Sequence, residues 1–246
     1  MHDMTNSRHY SRPPIVEAII DFHVEGPEGV ELSALERCQD ALYPGKKPLS
    51  TIVDRVEFGN DDSTATTSRQ VVGYLFTSAD AKQLFEARFA GFTIHRLAPY
   101  QGWQPFRDEA RRLWHIYCQT VLPRKVTRVA VRYMNRLDLP LPVREMKDYL
   151  RTSPEVSPGL PQGLAGFFLE LNIPQRDIKS TLLLREMIVP PASPEVASVV
   201  LDIDLFRSEE IPCDDAGIWA FMEGLRIRKN EIFEACITDR TREVIQ

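Results

Sequence analysis

Apolar and polar positions alternate two by two over several stretches of the chain and recur at three- and four-residue steps over others. In Ile15–Val24, the residues Val16, Ala18, Ile20 and Phe22 oppose Glu17, Asp21 and His23, which predicts a half-buried strand starting where Pro13-Pro14 stop blocking regular structure. The same reading predicts strands over 51–58, 70–77 and 83–97, the last bent near Gly91, with 59–68 as a polar loop. Between the first two strands, residues 30–43 carry Leu32, Leu35, Cys38 and Leu42 at helical spacing. Trp103, Phe106, Ala110, Leu113, Trp114, Tyr117 and Val121 then form the stripe of an amphipathic helix that Pro123 ends.

The second part of the chain follows the same order. It has a strand over 128–139, a short helix over 143–150, a hairpin of 164–173 and 180–189 turning at Pro174-Asp177, and a strand over 196–206. A final helix is capped by Asp214 or Asp215, with the stripe Ile218, Met222, Leu225, Ile232, Phe233 and Cys236. Strands beginning at residues 15 and 128, third strands near 84 and 196, and helices near 102 and 214 keep one spacing. The expected fold is therefore α+β. Two pseudo-duplicated β-α-β-β-β-α units (13–122 and 125–240) would form a largely antiparallel curved sheet, with two long helices on one face and a flexible start over 1–12, where His2 and His9 lie. The whole of 13–246 would be a single domain.

One-sided alternation leaves the other sheet face ionic. Val129, Val131 and Tyr133 point one way, and Arg132, Met134 and Arg136 the other. By the same parity the polar face gathers Glu17, Asp21, Arg88, Arg132, Arg136, Arg185, Asp202 and Asp204. Three uses fit such a face: solvated cross-strand ion pairs, a groove for a polar partner or an anion read by arginine forks, or a homodimer interface. Asp202 and Asp204, two apart on a strand, could hold a hard cation, although Arg132, Arg136 and Arg185 are placed to neutralise them instead. Their use as the centre of a metal-dependent enzyme acting on nucleic acid or a phosphorylated substrate is the main alternative to binding.

Two smaller features add candidates. His95-Arg96 precede the loop Pro99-Tyr100-Gln101-Gly102-Trp103, where an anion could sit at a helix start or Trp103 could pack into a closed corner. On the last helix, Trp219, Glu223, Arg226, Asn230 and Glu234 share a polar stripe that serves solvent, a partner, or buried backbone groups.

Charge and composition narrow the choice. The net charge is −5 with no long basic run, so duplex DNA is an unexpected partner, and a saddle-type nucleic-acid binder needs a local basic patch. No phosphate-binding glycine loop, dinucleotide fingerprint, H-E-x-x-H or G-x-S-x-G is present, so no cofactor, resident metal or catalytic residue is expected. His115, beside Trp114, reads as a structural histidine. The four cysteines form no C-x-x-C pair and no run of about 18 apolar residues exists. These point to reduced thiols in a cytoplasmic protein that enters no membrane.

The chain also resembles a known family. The residues that carry the likeness are Pro13-Pro14-Ile15-Val16-Glu17-Ala18, Gly91-Phe92, His95-Arg96-Leu97, Pro99-Tyr100, Trp103, Phe106, Glu109-Ala110, Leu113-Trp114 and Tyr117. They continue with Arg132-Tyr133-Met134-Asn135-Arg136, Leu225-Arg226, Lys229-Asn230, Phe233-Glu234 and Ile237-Thr238. Together they look like a sporadically distributed bacterial and archaeal family of uncharacterised proteins of about this length. The resemblance spans nearly the whole chain and implies no particular activity. The patchy distribution implies a component of a mobile or defence-associated gene system. The strand-helix order is similar to the TATA-binding-protein fold and other helix-grip folds, a likeness of topology that does not carry function. The expectation is a binding or interaction protein that holds an unidentified protein or an anionic ligand on the ionic sheet face or in a helix-sheet cavity.

Overall fold

The computed structural model describes residues 10–26, 29, 31–58, 63–161 and 163–246, with backbone alone at 53–58 and 63–66. Expectations for residues 1–9, including His2 and His9, for Val30 and for the start of the polar loop at 59–62 lie outside these. Nine strands and two long helices make an α+β fold: β1 (Ile15–Glu25), α1 (Leu32–Glu36), β2 (Gly45–Phe58), β3 (Ser63–Thr77), β4 (Gln83–Arg88), β5 (Gly91–Leu97), α2 (Trp103–Val121), β6 (Lys125–Pro140), β7 (Phe168–Gln175), β8 (Ser180–Val189), β9 (Val196–Arg207), α3 (Asp215–Cys236) and α4 (Asp239–Ile245). The strands hydrogen-bond in the order β2-β3-β4-β5-β1-β6-β9-β8-β7, so the sheet is open, with β2 and β7 at its edges.

The sheet is antiparallel. Six neighbouring pairs run so directly, including β4 on β5 and β6 on β9. For β1 against β5, Val24 N–H reaches Ala90 C=O and Ala98 N–H reaches Val16 C=O; opposite ends meet, as they must in an antiparallel pair. For β1 against β6, Arg124 N–H reaches Glu25 C=O and Arg136 N–H reaches Pro14 C=O. Among the described residues no helix is long and apolar enough to cross a membrane.

Contacts divide the chain into two compact units. One is Ile20–Arg96 with Gln101–Thr127; the other is Met1–Ile19, Leu97–Tyr100 and Arg128–Gln246. In the first, the α2 stripe is buried from Trp103 to Val121, with Trp114 and Tyr117 against Phe22 and Phe92. Phe22 stacks on Trp114 at 4.4 Å and Phe76 on Phe85 at 4.7 Å. Each such ring contributes about 1.5–3 kcal/mol by leaving water. Leu122, at φ 53°, closes α2 with its N–H on Cys118 C=O before Pro123. In the second, Asp214 caps α3 by accepting from Gly217 N–H at 2.8 Å, and Ile218, Met222, Leu225, Phe233 and Cys236 face the strands.

Several expectations need correction. The long strand over 83–97 is a hairpin, β4 and β5, so the first part of the chain carries one strand more than predicted. Gly91 does not bend a strand; a Cβ there would lie 2.3 Å from Phe22 C=O, so glycine is what lets β5 close on β1. Residues 63–68 belong to β3, whose partners in β2 pair them to the end. The helix over 143–150 is a single 3₁₀ turn at Met146–Asp148, and that over 30–43 shrinks to five residues. β7 runs through Pro174, so the turn lies at Arg176–Lys179. Tyr10–Arg12 are not frayed: Tyr10 O–H donates to Glu234 and Arg12 N–H to Ile245 C=O.

Candidate functional site

The predicted ionic face divides into networks whose members are already paired. In the second unit, Arg132 grips Asp202 with two parallel hydrogen bonds, Nε to Oδ1 at 2.8 Å and Nη2 to Oδ2 at 2.6 Å. Arg185 adds Nη1 to Oδ2 at 3.3 Å and ties its own Nε to Glu170. Asp202 is fully buried rather than solvated, and both its oxygens are taken by guanidinium groups. Arg128 stands 3.5 Å from Asp204, whose carboxyl burial pushes upward against the pull of Arg128 and Arg132. Arg136 does not neutralise the aspartate pair. It binds Asp138, Ser198 Oγ and Pro190 C=O instead: the diagonal that takes Arg132 to Asp202, opposite Met134, takes Arg136 to Ser198, opposite Asp138. Among the described residues no three His, Cys, Asp or Glu side chains gather as metal ligands would.

In the first unit, Thr93 O–H donates to Asp21 at 2.6 Å and Arg88 donates to both. Arg88 also meets Glu86, and the imidazole of His95 lies 3.7 Å from the same carboxylate. The His95 contact, with Arg88 beside it, holds Glu86 below the usual range despite its burial. His95 and Arg96 therefore do not act together. They alternate along β5, so His95 joins Glu86 while Arg96 turns to the face that α2 covers.

There Arg96 lines a cleft of about 440 Å³ at the start of α2. Its walls come from the segment after α1 (Leu42, Tyr43), the β3–β4 turn (Ser78, Asp80), β4 (Gln83) and the opening of α2 (Gln101, Gly102, Phe106, Glu109). The back wall is locked. Arg112 forks onto Glu109 at 2.8 Å through both Nε and Nη2 and reaches Asp40 with Nη1, while Tyr43 O–H donates to Glu109. The hydrogen bonds to Glu109 raise the Arg112 pKa further, and burial raises that of Tyr43. The rim at Asp80 is fixed as firmly. Its Oδ1 accepts from Ser78 O–H at 2.7 Å and Lys82 N–H at 2.9 Å, which keeps it ionised. α2 starts here at Gly102, φ 111°, with no side chain capping its first turn.

Arg96 differs from every other arginine predicted for a site. Arg88, Arg132, Arg136, Arg185 and Arg226 each have a carboxylate partner, Arg226 through Glu223. The Arg96 guanidinium makes no hydrogen bond or ion pair among the described residues, and its Nε is buried. Trp103, in the first turn of α2, is buried. His115 lies exposed on α2.

On α3, Trp219 leaves the expected polar stripe; it is buried and its indole N–H donates to Asp215. Asn230 is half-buried on the same helix. Two buried groups there and below escaped the sequence reading. The Lys229 amine sits 3.8 Å from the centre of the Tyr133 ring, whose hydroxyl pairs with that of Tyr100 at 3.0 Å. Burial, with Arg226 near, brings the Lys229 amine down to about 7. Both oxygens of Glu186 on β8 are buried without a partner, and burial pushes its carboxyl up to about 8. Parity could have found Glu186, since it follows Leu182 and Leu184 on the apolar side. Asp80 gave no signal beyond a turn-forming residue.

Compared with known proteins, the chain matches no family model and no curated sequence.

Proposed function

We propose that the protein is a binding module whose first unit holds a small anionic organic ligand in the cleft beneath the start of α2. The observation that carries this reading is the unpaired Arg96 guanidinium on the wall of that cleft. A half-buried arginine with no acceptor forgoes charge-assisted hydrogen bonds of roughly 1.5–3 kcal/mol each, which a carboxylate or phosphate would supply. The volume suits one small organic molecule, and Leu42, Tyr43 and Phe106 give it an apolar wall. Elsewhere on the predicted face the arginines already hold carboxylates, so an incoming anion would have to displace them.

The test is a thermal-shift and calorimetric titration with benzoate, 3-phenylpropionate and inorganic phosphate, on the wild type and Arg96→Leu. Saturable binding by the wild type, lost in an equally stable Arg96→Leu, supports the reading. At 100 times Kd a ligand adds about 2.7 kcal/mol of stability, an ample signal. Absent binding, or binding unchanged by the substitution, overturns it.

A further inference from the structure

The cleft holds a second charge that Arg96 does not reach. Asp80 lines the same cavity from the β3–β4 turn, near enough for Arg96 to act on it electrostatically. Yet among the described residues no ion pair or hydrogen bond joins Arg96 to that carboxylate. The cause is mechanical. Ser78 O–H and Lys82 N–H both hold Asp80 Oδ1, Ser78 and Gln83 close the turn with reciprocal bonds at 2.9 Å, and Ala81 takes a left-handed conformation at φ 54°. Asp80 is thus tethered by its turn, Arg96 is rooted in β5, and both line the one cavity. Glu109, the other carboxylate of the lining, is consumed by Arg112 and Tyr43.

Opposite charges that line one cavity without pairing with each other complement a ligand that carries both. We infer that the cleft takes an apolar α-amino acid as a zwitterion, its carboxylate on Arg96, its ammonium on Asp80 and its side chain against Leu42, Tyr43 and Phe106. This rests on the anion-binding reading above and adds the ammonium subsite. An ammonium is a compact donor of three hydrogen bonds, and the bonds from Ser78 and Lys82 both fall on Asp80 Oδ1 rather than Oδ2.

The experiment compares L-phenylalanine, 3-phenylpropionate (no ammonium) and phenethylamine (no carboxylate) by calorimetry on the intact chain. The wild type should bind L-phenylalanine at least 10-fold more tightly than 3-phenylpropionate, and phenethylamine more weakly than either. In Asp80→Asn, which can still accept from Ser78 and Lys82, the preference for L-phenylalanine over 3-phenylpropionate should collapse to within about 2-fold. If 3-phenylpropionate binds the wild type as well as L-phenylalanine does, the zwitterion inference falls and the anionic cleft stands. If none of the three binds, both fall. Because the wild-type ratio alone decides the first point, the outcome does not depend on how the variant folds. A preference retained in a folded Asp80→Asn overturns the role of Asp80.

Discussion

Arg132 and Asp202 form a fork-to-fork pair across β6 and β9, offset by two register positions: Asp204, not Asp202, is the residue directly opposite Arg132. The diagonal choice leaves Asp204 to Arg128 and lets Arg185 reach Asp202 from β8. Asp202 is fully buried, so its charge has no recourse to water.

Arg132→Ala should therefore destabilise the protein by about 3 kcal/mol, since it leaves a buried carboxylate with the single, longer contact from Arg185. Arg132→Lys should recover less than half, because an ammonium cannot reproduce the fork. Urea unfolding measures both; a loss under about 0.5 kcal/mol for Arg132→Ala would show the pair to be idle.

Arg96→Ala should behave oppositely. With no partner to strand, its unfolding free energy should stay within about 0.5 kcal/mol of wild type. The contrast between two arginines on the same sheet separates a structural cation from a free one, and equal losses in the two variants would contradict it.

Glu186 and Lys229 set a pH dependence with a definite sign. The folded carboxyl of Glu186 is raised from 4.5 to about 8, so its stabilising contribution is complete below pH 4.5 and is lost as the pH climbs to 8. The folded amine of Lys229 is lowered from 10.5 to about 7, so its contribution is complete above pH 10.5 and is lost as the pH falls to 7. Each changes stability by about 1.4 kcal/mol per pH unit in its window. Together they place a minimum between pH 7 and 8, where the folded state keeps both neutral and the unfolded state charges both. Glu186→Met should remove the descending limb and Lys229→Met the ascending one. Unfolding free energies at pH 5, 7.5 and 9.5 check this, and parallel profiles in wild type and variants would refute it.

Gly91→Ala should cost about 2 kcal/mol or more, because the added Cβ meets the Phe22 carbonyl at 2.3 Å and neither backbone can retreat without breaking β1–β5 bonds. Gly159→Ala, with open space around its Cβ, is the control and should be neutral in thermal denaturation.

Periodicity along the chain determined which residues face which way. The stripe from Trp103 to Val121 and the alternation through Val129, Val131 and Tyr133 appear in the fold as read, because each reflects a local geometric period and one-sided burial. The Asp214 cap was legible because capping is a local bond between a side chain and the backbone three residues on. Tertiary structure decided what period and composition do not encode: the turn at Phe89–Ala90, the register that brings Ser198 to Arg136, and the pairing that occupies every predicted arginine but Arg96. Register is a choice among pairings of equal local quality, settled by contacts between residues far apart in the chain. Whether a charge is free therefore depended on the position of its neighbours on other strands, which its own stretch of sequence does not contain.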